Sequence, residues 1–153
     1  GAMQTLVSEQ PSSGRVRSVR TAVSDSADPV VAVAELAEQL HPQSAACVVF
    51  FCTPTYDLHA LGKAVATRFE GTLVIGCTTA GEIADGGVIA NPISAVAFND
   101  QDFTAAILHL DDLAFADESH IASLVRETID DLSQRTRWGS SGHTFALSLL
   151  DGL

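Results

Sequence analysis

Three short segments combine reactive or hydrogen-bonding side chains with the end of an apolar run. They are Cys52-Thr53, with Tyr56 shortly after it; Cys77-Thr78-Thr79-Ala80-Gly81-Glu82; and Asp151. Open α/β sheets bind ligands beyond the carboxyl ends of their parallel strands. Threonine hydroxyls, backbone N–H groups and a carboxylate gathered there can hold an ammonium or a carboxylate. The same residues also have plain structural uses. Thr53 can cap a helix, Thr78 and Gly81 can shape a turn, and Glu82 can cap backbone N–H groups. Cys77 at a strand end can also be a nucleophile, with His59 as its base, in a cysteine-dependent hydrolase or transferase. That chemistry needs a thiolate, whereas a buried structural cysteine stays a protonated apolar side chain.

Haem binding requires an apolar slot and an axial His, Cys or Tyr. Of the five histidines, His59 is the axial candidate, because it flanks the apolar stripe of a helix that starts near the sheet's carboxyl end. Tyr56, at a helix start, packs more simply with its hydroxyl toward water. Cys52-Thr53-Pro54 lacks the adjacent Cys-Pro pair of haem-regulatory motifs. Cys47 and Cys52 are an odd number of residues apart on one strand, so they point to opposite faces. The chain has no Cys-x-x-Cys or His-x-x-x-His pair, which makes a zinc site a poor expectation. Gly-x-Gly-x-x-Gly, Gly-x-x-x-x-Gly-Lys and Gly-x-Ser-x-Gly are absent too.

The elements that must position these residues read as an α/β domain. It has a mixed sheet with a βαβ unit, a hairpin and three helices packed on the sheet. Val19 to Val23 alternates like a strand. Asp28-Pro29 supplies a cap and a first-turn proline for a helix running to Leu40, with Val30, Val33, Ala37 and Leu40 on its apolar face. Ala46 to Cys52 is an unbroken apolar run, which predicts a strand buried on both faces. Thr53-Pro54 then begins a helix over about Tyr56 to Phe69, which packs Leu58, Leu61, Val65 and Phe69. Gly62 lies on that face, where it permits close approach of helix to sheet. Thr72 to Gly76 is the next buried strand, and a short strand follows near Gly87 to Ala90. Ile93 to Asn99 and Phe103 to Leu110 read as a hairpin around Asn99-Asp100-Gln101-Asp102. A helix over Asp117 to Gln134 carries Ile121, Leu124, Val125 and Leu132 as its buried stripe. Thr144 to Leu150 is a last apolar strand.

Composition narrows the class of partner. The 153 residues are 46% hydrophobic, enough for one domain with a core of its own. The net charge is −11, and beyond Arg20 five basic residues stand against eighteen acidic ones. Such a body repels phosphate backbones and anionic lipid, so neither nucleic acid nor membrane is an expected partner. No apolar run approaches the roughly 18 residues of a membrane helix, and no signal-peptide core precedes residue 26. An odd set of three cysteines in apolar surroundings suits a reducing compartment. The expected location is therefore cytoplasmic. Gly1-Ala2-Met3 reads as a protease-cleavage scar, and residues 1–15 are expected to be a disordered Gln/Ser/Pro-rich stretch.

Cys47-Val48-Val49-Phe50-Phe51, Tyr56-Asp57-Leu58 with Ala60-Leu61, and Val74-Ile75-Gly76-Cys77-Thr78-Thr79-Ala80-Gly81-Glu82-Ile83 occur in that order. This set resembles the N-terminal domain of the FIST sensory module. The string from Gly76 to Ile83 is its specific part. Sparser similarity runs back to the Asp28-Pro29 helix and forward to Leu150-Asp151-Gly152-Leu153. The resemblance implies a bacterial signal-input domain that binds a small ligand, amino acids having been proposed, and acts on a histidine kinase or another output domain. One branch of the family binds haem and reports nitric oxide. The family module is longer, so residues 16–153 are expected to be its N-terminal portion, truncated. A last strand left uncovered would invite pairing with a second copy as a homodimer. The strand-end rule, to which the resemblance adds weight for the Cys77–Glu82 loop, makes the expected ligand-binding set Cys52, Thr53, Tyr56, Cys77, Thr78, Thr79, Gly81, Glu82 and Asp151.

Overall fold

The computed structural model describes residues 17–78, 82–84, 87–89, 92–108, 117–135 and 145–147, with 82–84 and 87–89 described by backbone pairing alone. The strands are β1 (Val19–Ser24), β2 (Ala45–Cys52), β3 (Leu73–Thr78), β4 (Glu82–Ala84), β5 (Gly87–Ile89) and β6 (Ile93–Asn99). The helices are α1 (Pro29–Leu40), α2 (Leu58–Arg68) and α3 (Glu118–Arg135). The main sheet runs β1-β6-β2-β3, and β4 pairs with β5 in a separate antiparallel ladder. Strand β6 is antiparallel to both β1 and β2, while β2 and β3 are parallel and joined through α2. This is the predicted mixed α/β sheet with its βαβ unit.

Helix α1 forms where the sequence calls for it. The Asp28 side chain accepts a hydrogen bond from Val30 N at 2.9 Å, and Pro29 takes the first turn. Val33, Leu36 and Leu40 recur at helical spacing and are fully buried. Each such side chain contributes roughly 1.5–3 kcal/mol by leaving water. Val30 sits at the edge of that stripe and is 64% exposed, so it is not part of the packed face. The helix ends at His41, a left-handed residue (φ 50°) whose N–H bonds the Ala37 carbonyl. Arg20, buried on β1, donates from Nε to the Leu40 carbonyl at 2.7 Å and caps the same end.

The sheet's alternation sorts its side chains. Phe50 and Cys52 of β2, and Ile93, Ala95 and Ala97 of β6, belong to the core that includes α1 and Leu61 of α2. Phe69, just after α2, meets Phe50 edge-on at 5.1 Å. On the other face, Phe98 is 5.2 Å from Phe103 and 5.9 Å from Phe145.

Several expectations need correction. The cap of α2 is Asp57, whose carboxylate accepts from His59 N and Ala60 N at 3.1 Å; Thr53-Pro54 lies in the turn before it. Leu58 is 52% exposed, standing at the helix start beyond the core. Strand β3 lies at the end of the four-strand order and is only half-buried, with Leu73 38% exposed. Residues 103–108 form no ladder with β6. The chain instead turns on Asn99, whose buried side chain accepts from Asp102 N at 2.8 Å and donates to the Asp102 carboxylate at 3.0 Å. Residues 145–147 are not in a strand, and the rest of the Thr144–Leu150 run lies outside the described residues. Helix α3 has no fully buried residue, and Val125 is 39% exposed. Its apolar stripe is therefore only partly covered.

Candidate functional site

The βαβ unit leaves a cavity of 290 Å³ between α2 and the ends of β2 and β3. Leu58, Leu61, Gly62 and Val65 form its helix wall, and Phe50, Cys52, Val74, Gly76, Cys77 and Thr78 border it from the sheet. Cys52 and Thr78 are register partners across the parallel pair. They set a thiol and a hydroxyl at the carboxyl end of an open, mostly apolar hollow, the end at which α/β sheets bind ligands. A second hollow of 370 Å³ lies between α3 and Leu73, with Glu127, Asp131 and Arg135 on its wall. It lies by the amino end of β3, away from the carboxyl ends of the strands, and its Arg135 is already paired with Asp131 at 2.9 Å.

Two exposed glycines lie on the rim of this hollow. A Cβ added at Gly62 would meet nothing within 4 Å, and one at Gly76 only Phe50 Cβ at 4.0 Å. Gly62 therefore does not serve close helix-to-sheet contact, as its place on the apolar face had suggested. Both glycines are exposed, so the hollow opens to solvent beside them.

Electrostatically the site is quiet. Burial pushes the Cys52 thiol above its ordinary value, with the nearby Cys77 adding to the shift. Burial likewise raises Cys77. Both thiols are thus held protonated near neutrality, the opposite of what an activated nucleophile needs. His59 is exposed and does not line the cavity. Nothing in the geometry joins it to Cys77.

Tyr56 is buried beside the site rather than in it. Its hydroxyl donates to the Ser26 carbonyl and does not face water as expected. Burial raises its pKa first, followed by Cys52, Glu35 and Asp25. Thr53 N donates to the Pro92 carbonyl at 3.0 Å, and its hydroxyl is 2.9 Å from that of Thr55. These bonds tie down the loop between β2 and α2. Of the expected ligand-binding residues, Cys52, Cys77 and Thr78 border the cavity, and Thr53 and Tyr56 shape its surroundings. Thr79, Gly81 and Asp151 lie outside the described residues, and Glu82 is placed only by its backbone pairing with Ile89.

The apolar wall from α2 was missed as a site because Leu61 and Val65 read as ordinary core. No local sequence signal marks it, because apolar periodicity does not say which of these side chains the sheet covers.

The described residues do not fit haem. A cavity of 290 Å³ lies at the lower limit for small-molecule sites, well short of a porphyrin slot. The one histidine near it is exposed, and the Tyr56 hydroxyl is spent on Ser26. Among the described residues there is no cluster of three metal-ligating side chains. None of the described helices is long and apolar enough to cross a membrane.

Comparison with curated proteins and with solved structures found no match. A family model does match, over residues 46–153, and the stretch contains both walls of the cavity and the Gly76–Ile83 string. It starts at β2, although β1 and α1 ahead of it are built into the same core. That model describes the FIST N domain, and with more than two thirds of its length matched the chain belongs to this family of sensory domains.

Proposed function

We propose that the chain is the ligand-receiving part of a cytoplasmic sensor, without catalytic activity of its own. It takes up a small, amino-acid-like metabolite and passes its occupancy to an output partner such as a histidine kinase. The observation that carries this reading is the open, mostly apolar hollow at the carboxyl ends of β2 and β3, inside the segment matched to a sensory family. The ligand's side chain enters between α2 and the sheet. Its polar head stays at the strand ends, near Cys52 and Thr78. The protonated thiols favour binding over covalent chemistry.

Thermal unfolding against a panel of amino acids tests the proposal. A saturable rise in Tm with at least one of them, and no consumption of that compound, is the expected result. The absence of any shift, or turnover of a bound compound, would contradict it. A Soret band on titration with haem would move the reading to the haem-binding branch of the family.

A further inference from the structure

Strand β1 stands at the end of the four-strand order, beside β6. The backbone shows which of its residues bond inward. Asn99 N donates to the Ser18 carbonyl at 2.9 Å, and this pair continues the antiparallel register that sets Val19 against Phe98. Bonding alternates along an antiparallel pair. Ser18, Arg20, Ala22 and Ser24 therefore bond toward β6, while the N–H and C=O groups of Val19, Thr21 and Val23 point out from the sheet. Gln39 of α1 bears this direction out. Its side-chain amide accepts from Val23 N at 3.4 Å and donates to the Val23 carbonyl at 3.1 Å, as a neighbouring strand would.

The same three residues carry the exposed side chains of the strand. Val19 is 45% and Val23 49% exposed, and Thr21 between them is exposed as well. Charges, prolines and bulges are what normally blunt such an edge. Strand β1 holds no proline, and its register with β6 is unbroken. Its one charged side chain, Arg20, is buried and spent on the Leu40 and Arg17 carbonyls.

The outward row reads alike in both directions. Val19 and Val23 flank Thr21, and two residues beyond them stand the exposed Arg17 and Asp25. An antiparallel copy centred on Thr21 sets Thr21 against the partner's Thr21, Val19 against the partner's Val23, and Arg17 against the partner's Asp25. Threonine pairs, β-branched pairs and opposite charges are all favourable cross-strand neighbours.

The geometry points to β1 as a homodimer interface: two copies pair antiparallel through Val19, Thr21 and Val23 about a two-fold axis at Thr21, and their sheets join edge to edge. Such a contact is isologous and closes at two copies. The Gln39 amide stands where the partner strand must bond Val23, so it swings out on pairing and tempers the association. The interface is independent of what the hollow beside α2 binds.

Light scattering of the full chain over a concentration series tests this. The mass should rise with concentration toward twice that of the chain. Thr21→Lys sets two ammonium groups face to face across the axis and should weaken the dimer about tenfold. Its side chain is solvated in the monomer, so the unfolding midpoint should hold. Arg17→Asp should weaken the dimer severalfold, and adding Asp25→Arg should restore it, a rescue that only this register provides. Gln39→Ala frees the edge at Val23 and should tighten association. Monomers throughout the series in both the parent and Gln39→Ala overturn the interface. A dimer indifferent to Thr21→Lys overturns its assignment to β1. Arg17→Asp without effect, or a double variant no tighter than the single one, overturns the register.

Discussion

The Tyr56 hydroxyl donates to the carbonyl of Ser26, thirty residues upstream, and so fastens the loop after β1 to the loop after β2. Both loops lie at the end of the sheet where the candidate site opens, which makes this bond part of the frame of the site. Tyr56→Phe removes the donor and leaves a partly buried carbonyl without its partner. The expected loss is about 1 kcal/mol, or roughly 2–4 °C in Tm for a domain of this size. Chemical denaturation of the two proteins side by side checks it. A variant as stable as the parent would show that the bond contributes nothing.

Alkaline pH should destabilise the fold. Burial raises Cys47, Cys52 and Cys77 above their ordinary 9.0, and Tyr56 above its ordinary 10.0. Each of these groups binds its proton more tightly folded than unfolded. Their contribution is complete below the unfolded pKa and is lost as pH rises through the folded one. Urea midpoints should therefore be flat up to about pH 8.5 and fall above pH 9. A midpoint that rises across that interval would contradict the burial assigned to these groups.

Arg20 closes the carboxyl end of α1 from the neighbouring strand. Its guanidinium donates to the carbonyls of Leu40 at 2.7 Å and Arg17 at 2.9 Å. Arg20→Ala would leave the Leu40 carbonyl unpaired in a buried setting and should cost about 2–3 kcal/mol. Arg20→Lys should recover only part of this, because an ammonium cannot serve the same divergent acceptors as a planar fork. Equilibrium unfolding of the pair measures both steps.

The thiols discriminate between a binding site and a catalytic one. With their pKa values raised by burial, Cys52 and Cys77 should react with iodoacetamide at neutral pH at least tenfold more slowly than free cysteine, and as fast as free cysteine only in denaturant. Mass spectrometry of time points gives the site-specific rates. Rapid labelling of Cys77 in the folded chain would favour the nucleophile reading.

Much of the scaffold was legible in the sequence because its signals are local. Asp28-Pro29 announces α1, the run from Ala46 to Cys52 announces a central strand, and alternation announces β1. The failures were choices made by tertiary context. Two capping residues compete ahead of α2, and Asp57 prevails over Thr53 because the chain first has to turn and dock Tyr56 on Ser26. Asn99 reads as the corner of a hairpin, but its buried amide folds the chain back on Asp102 instead. The candidate site was only half legible. Its polar end, Cys52 and Thr78, follows from the rule that ligands gather at strand ends. Its apolar body depends on how far α2 stands from β3, a distance that apolar periodicity does not encode.

Methyl-resolved NMR of the chain, titrated with the amino acid that raises Tm most, tests most directly the claim that the hollow between α2 and the β2–β3 ends is the ligand site. Saturable shifts should concentrate on Leu58, Leu61, Val65 and Val74, which border the hollow. Val19 and Val23, exposed on the distant strand β1, should stay still. Shifts centred on Leu73 and Ile107 beside α3, with the methyls of the hollow unmoved, would contradict the account.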